Sequence, residues 1–189
     1  MKLVFLIVVF SVTYGNCIGQ STNKKPDSYS FINQITENDS CSSGWGELKF
    51  LKKFSYPKSR SRNANKYLEN QIIAYVLDDY DSIGIDTNHL SINFLKKQTK
   101  NVSHFKWNKK KIKTLPVVNS LDSNSCYISY SKPIFSRDYK TIIIITFGGI
   151  KGLVTGGSLH FYYLNSISQK WDIKYSCTMM IRDEWLRFL

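Results

Sequence analysis

Residues 141–164 read TIIIITFGGIKGLVTGGSLHFYYL, and the role of the glycines at their centre decides the fold. Five glycines fall within the ten positions 148–157. Glycine-rich loops bind phosphate where a strand runs into a helix, because backbone N–H groups and the helix N-terminus then point at the anion. Gly152 to Gly157 imitates the Walker spacing, but Ser158 stands where the phosphate-binding lysine belongs. The residues that follow, LHFYYL, are aromatic and suit a strand, not a helix. The glycines therefore join two strands, and their tolerance of tight bends suits a hairpin or a bulge. TIIIITF is a continuous β-branched run and reads as a central strand buried on both faces.

Working outward from this pair, CYISYSKPIF (126–135) is a strand interrupted by Pro133, which implies an edge or a bulge. SRDYK (136–140) is a polar turn. SLHFYYLN and KWDIKYSCTMMI are strands separated by SISQ, and the short connections make an antiparallel meander of about four strands. Upstream, NANKYLENQIIAYVLDD (63–79) has a helical face at Leu68, Ile72, Tyr75 and Val76, with a strand over its β-branched second half as the alternative. DTNHLSINFLKKQ (86–98) is a second candidate helix, capped by Asp86 or Thr87, with Leu90, Phe94 and Leu95 inward. The expected architecture is α+β: an antiparallel sheet of about four to six strands with one or two helices packed on it. Its core is expected to include Ile142, Ile144, Phe147, Leu159, Phe161, Trp171 and Ile173, with Leu68, Ile72 and Phe94 from the helices.

SKPIFSRDYKTIIIITFGGIKG, GGSLHFYYL and QKWDI together resemble the C-terminal part of a group of uncharacterised secreted bacterial proteins. There a Ser-x-Pro/Val-x-Phe strand leads to a hydrophobic strand, a Cys-Gly-Gly-Leu-Cys-Gly hairpin, an aromatic strand and a turn ending in Trp. The resemblance covers about residues 129–175. Phe147 and Lys151 stand at the cysteine positions of that hairpin, so its cysteine pair does not carry over. The resemblance implies secretion and no particular activity.

The chain's 189 residues suffice for one domain. Residues 1–19 read as a secretory signal: positive Met1-Lys2, an apolar stretch from Leu3 to Val12 too short to span a bilayer, then small Gly15, Cys17 and Gly19. Cleavage after Gly19 leaves Gln20 first. The alternative places lipid on Cys17, after the poor lipobox Tyr14-Gly15-Asn16. Residues 20–44, QSTNKKPDSYSFINQITENDSCSSG, are polar and aperiodic and read as a flexible lead-in, with a single domain over 45–189. The protein is expected to be secreted or periplasmic. Such a compartment permits disulfides. Cys126 and Cys177, both in strand-like segments, are the preferred pair, and three buried reduced cysteines are the alternative.

Charge along the chain is blocked. Lys49 to Lys66 carries seven basic residues and no acidic one, Tyr67 to Leu95 five acidic residues and no Lys or Arg, and Lys96 to Lys113 eight lysines and no acid. Removal of Lys2 with the signal leaves a formal charge of +11, against +12 for the whole chain. Lys52, Lys53, Lys58, Arg60 and Arg62 lie among Phe54 and Tyr56. Lys106, Lys109, Lys110, Lys111 and Lys113 surround Trp107. Cations beside aromatics suit anionic polymers or surfaces, so these eleven residues form the candidate site. A merely solvated basic face, neutralised by the acidic segment around Asp78, Asp79 and Asp81, is the competing account.

Other chemistries find little purchase. DYDSIGID starts like an EF-hand loop, but Ile83 and Leu90 occupy ligand positions. His89, His104 and His160 are scattered, with no metal-ligand spacing. Ser158 and His160 would share a strand face without an orienting carboxylate, and there is no nucleophile elbow. No cofactor, metal or catalytic residue is assigned. The expected function is an exported non-catalytic domain that binds a macromolecular partner, with a secreted hydrolase acting on an anionic substrate as the alternative.

Overall fold

The structure is a computed structural model that describes residues 24–39, 47–55, 70–74, 91–99, 102, 104–120, 126–150 and 153–179. Its centre is the hairpin of β7 (Thr141–Ile150) and β8 (Leu153–Leu164), in register from Thr141 opposite Tyr163 to Ile150 opposite Leu153. The run Thr141–Phe147 is buried throughout, as its β-branched composition requires. Alternation divides it between two cores. Ile143, Ile145 and Phe147 pack with Leu159, Phe161, Ile72, Leu95 and Val102 on one face. Ile142 and Ile144 pack with Phe31, Ile32, Phe50, Trp107 and Phe135 on the other.

The main sheet has seven strands. β1 (Leu48–Leu51) lies parallel between β4 (Val117–Val118) and β5 (Cys126–Tyr130), and β5, β6 (Ile134–Phe135), β7, β8 and β9 (Trp171–Met179) pair antiparallel. The fold is therefore α+β, but the sheet is mixed and larger than the expected four to six antiparallel strands. Its parallel pairs need a long crossover, and that crossover carries the helical residues 70–74, the helix Ile92–Thr99 and a second, two-stranded sheet, β2 (Lys53–Ser55) with β3 (His104–Lys106). Hydrophobic periodicity cannot report strand direction.

β5 and β6 behave as one strand broken by a bulge. Tyr130 lies opposite Thr146 and Ile134 opposite Ile143, so three residues face two. Pro133 occupies the bulge. Ser131 fills the broken ladder: its N–H donates to the Ile145 carbonyl (2.9 Å), and its hydroxyl accepts from Ile145 N–H (3.0 Å). SRDYK is the expected polar turn, in which the Ser136 hydroxyl donates to Asp138 (2.6 Å) and Tyr139 takes φ 58°.

The lead-in over 20–44 was expected to be flexible, yet it holds helix α1 (Ser28–Ile35). Asp27 caps it by accepting from Ser30 N–H at 3.1 Å, and Phe31 and Ile32 bury fully. Two turns with so few apolar residues leave too short a pattern to read. Residues 70–74 are helical, with Ile72 and Ile73 buried, which favours the helical reading of that segment. Helix α2 (Ile92–Thr99) begins at Ser91, whose carbonyl accepts from Phe94 and Leu95, and it buries Leu95. Asp86, Thr87, Leu90 and Leu68 lie outside the described residues.

Two expectations need correction. Ile173 is 53% exposed, on the edge strand β9. Cys126 and Cys177 are not a pair: Cys177 is not disulfide-bonded, while Cys126 is disulfide-bonded with a partner outside the described residues. β5 and β9 are separated by β7 and β8, about 14 Å at ordinary strand spacing, twice the reach of a disulfide.

The glycines serve the hairpin. A register shift at Gly148/Gly149 marks a bulge against β8. At Gly157 an added Cβ would sit 2.4 Å from the Phe147 ring, so the close approach requires glycine. Gly156 has open space and no positive φ. Gly157→Ala should therefore destabilise by about 1–3 kcal/mol through overpacking. Gly156→Ala should be neutral or stabilise by up to about 1 kcal/mol. Urea midpoints of the two variants check this, and equal losses would refute it.

Candidate functional site

The two basic blocks meet where β2 pairs with β3. Lys53 stands directly opposite Lys106, and both are exposed. Opposed residues of an antiparallel pair share a face, so two positive charges are held side by side, which costs stability unless an anion intervenes. On the inward side Phe105 packs between the two cores. The Lys52 carbonyl accepts from Trp107 N–H at 2.8 Å, and Lys52 N–H donates to Val118 at 3.0 Å, which joins the small sheet to the large one.

The chain then turns through 108–113, and α1 holds that turn. The Asn33 side chain donates to the Lys111 carbonyl (3.0 Å) and accepts from Lys113 N–H (2.8 Å). Tyr29 accepts from Asn108 N–H at 3.2 Å, and the Asn108 side chain accepts from Lys110 N–H at 3.0 Å. The hydroxyls of Thr36 and Thr114 are 2.5 Å apart, and Ile112 is buried. Lys109, Lys110, Lys111 and Lys113 are exposed around this frame, with the Lys111 ammonium 4.9 Å from the Tyr29 ring centroid. None of Lys52, Lys53, Lys106, Lys109, Lys110 and Lys113 forms an ion pair with another described residue.

Trp107 does not belong to that surface. It is fully buried, its indole N–H donates to the Tyr130 carbonyl at 2.8 Å, and Tyr29, Phe50 and Phe105 surround it edge-on. Its place among lysines in sequence reflects a buried anchor beneath a basic turn. Lys58, Arg60, Arg62 and the acidic Asp78, Asp79 and Asp81 lie outside the described residues. α1 was not legible as part of the site, although Asn33 and Tyr29 position it.

A second polar feature crosses the sheet. His160 on β8 lies opposite Ser176 on β9, with Nδ1 2.9 Å from the Ser176 hydroxyl and Nε2 2.9 Å from the Thr146 hydroxyl. Burial lowers its pKa and favours the neutral ring. Ser158, which was expected to share its face, is not its hydrogen-bond partner. Nearby on the same side of the sheet, Tyr130 donates to the Asp39 carboxylate at 2.7 Å. Burial raises the Asp39 pKa against that hydrogen bond. Burial, reinforced by Asp39, raises Tyr130 well above its usual value and Tyr162 to about 12.

An open hollow of about 350 Å³ lies at the start of α1, lined by Lys24, Lys25, Asp27, Phe31 and Trp171 among others. Among the described residues no group of three or more His, Cys, Asp or Glu could hold a metal ion, and no helix is long and apolar enough to cross a membrane. No family model, no curated protein and no solved structure matches the chain.

The polar line has a pH signature. A lowered His160 pKa means the folded state binds fewer protons than the unfolded one, whose histidine titrates near ~6.5. Its contribution is present above that value and is lost as pH falls through the folded pKa. Asp39, shifted upward, acts oppositely: protonation as pH falls relieves its burial. In an Asp39→Asn background, adding His160→Gln should therefore flatten the loss of stability between about pH 7.5 and 5. Urea midpoints at both pH values measure this, and an unchanged slope would exclude His160 as the source.

Proposed function

We propose that this protein is an exported, non-catalytic module that binds an anionic macromolecule through Lys52, Lys53, Lys106, Lys109, Lys110, Lys111 and Lys113. The observation that carries the reading is the Lys53–Lys106 cross-strand pair. It joins two basic blocks that are distant in sequence, next to a lysine turn fixed from behind by α1. Like charges so placed are relieved by an anion, and anchored cations lose less freedom on binding than mobile ones. Lys58, Arg60 and Arg62 belong to the same basic block and are proposed to extend the surface. The disulfide at Cys126 supports an oxidising compartment, in keeping with the signal-like residues 1–19 and a secreted or periplasmic location. A lipid on Cys17 is the alternative tether.

A secreted hydrolase acting on an anionic substrate remains as a second reading, favoured by the contact of Ser176 with a neutral His160. Labelling by a serine-directed fluorophosphonate that Ser176→Ala abolishes would support it.

The binding reading predicts that the mature protein is retained on heparin at low salt and released steeply as salt rises, since each neutralised anion frees a counterion. Reversing Lys109, Lys110 and Lys111 to Glu should lower affinity by at least about tenfold and reduce the salt slope, with thermal stability nearly unchanged because these side chains are exposed. No retention of the wild type would remove the reading.

A further inference from the structure

Resting on the anion-binding reading, we infer that the ligand is an acidic polysaccharide rather than a nucleic acid, and that Asn33 is the positioning residue that makes its site preformed. Single-stranded nucleic acids are held by bases stacked on exposed aromatic rings. Among the described side chains, the aromatic groups next to these lysines are otherwise engaged. Trp107 is fully buried, Phe105 is packed between both cores, and the Tyr29 ring lies under the Lys111 ammonium and edge-on to Trp107. Base edges are read by amides and by the forks of arginine. Here the Asn33 amide is consumed on both sides by Lys111 and Lys113, and the Asn108 carbonyl oxygen by Lys110. Among the described residues of this surface every cation is lysine, a compact point charge with no planar fork, and Arg60 and Arg62 lie outside those residues.

What remains is a set of exposed lysines on a backbone that is held in place. That matches a polymer whose sulfates or carboxylates repeat along a chain that has no aromatic bases to stack. In the 108–113 turn that hold is the work of α1. Asn33 reaches the backbones of Lys111 and Lys113 across 78 and 80 residues of sequence, respectively. It touches no ligand itself and changes no charge. Its loss should let the turn move, so that ordering the lysines becomes part of the cost of binding.

The test is calorimetric titration of the mature full chain with a size-defined heparin oligosaccharide and with an oligothymidylate of equal charge, each at several salt concentrations. Wild type should bind the saccharide at least about tenfold more tightly than the oligonucleotide. Asn33→Ala should weaken saccharide binding about fivefold while leaving the salt slope unchanged, since the same lysines still release the same counterions. A glutamate reversal of Lys109, by contrast, should change the slope. If Asn33→Ala does not fold, Tyr29→Phe removes only the bond to Asn108 N–H and should weaken binding about two- to threefold. Equal or tighter binding of the oligonucleotide overturns the ligand class. Wild-type affinity in Asn33→Ala, or in Tyr29→Phe where that replaces it, overturns the positioning role while the anion-binding reading stands. Absence of saccharide binding by wild type overturns both.

Discussion

The burial of Trp107 is the constraint on which most of this structure depends. Its indole N–H would be orphaned in a dry core, and the Tyr130 carbonyl takes it at 2.8 Å. That acceptor lies at the end of β5, where the bulge through Pro133 breaks the ladder. The ring is then enclosed by Tyr29 from α1, Phe50 from β1 and Phe105 from β3. One side chain thus ties the N-terminal helix, the parallel strand, the small sheet and the meander into one packed unit. Truncating such a residue typically costs about 3–5 kcal/mol, a large part of the stability of a domain this size.

The same side chain decides where the charge goes. Trp107 sits between Lys106 and the 108–113 turn, so anchoring it inward forces its basic neighbours outward. Its backbone N–H is held by Lys52, which fixes β3 beside β2 and sets Lys53 against Lys106. Core packing and surface charge are therefore parts of one arrangement. The hydrophobic term outweighs the repulsion: opposed surface lysines cost a few tenths of a kcal/mol, against several for the buried indole.

Legibility in the sequence follows the length of each pattern. β7 was readable because seven consecutive strand-forming residues admit one arrangement, a strand covered on both faces. The Pro133 bulge and the SRDYK turn were readable because proline and a polar cluster act locally. The parallel placement of β1 was not, since direction depends on the path of the chain between Leu51 and Cys126. α1 was missed because Phe31, Ile32 and Ile35 give too few repeats to show a face, and its capping Asp27 looked like one polar residue among many. In the site, the lysines stood out by composition. Their frame did not, because Asn33 and Tyr29 meet the turn only through tertiary contacts. Trp107 was misplaced because neighbours in sequence say little about which way a side chain faces.

A lysine surface on so fixed a base has a thermodynamic consequence. If the 108–113 turn were loose, its ammonium groups could spread apart and relieve their repulsion at small cost. Asn33, Asn108 and the Thr36–Thr114 contact limit that movement at the backbone, and the ladder limits it for Lys53 and Lys106. The repulsion is then stored in the folded state and is relieved by counterions or by a bound anion. A ligand that binds only the folded form stabilises it by mass action, and an anion bound at these lysines would also remove an electrostatic penalty that folding imposed. On the proposed reading, binding and folding stability are coupled through the same few charges, and the coupling is strongest at low ionic strength, where screening does least to relieve them.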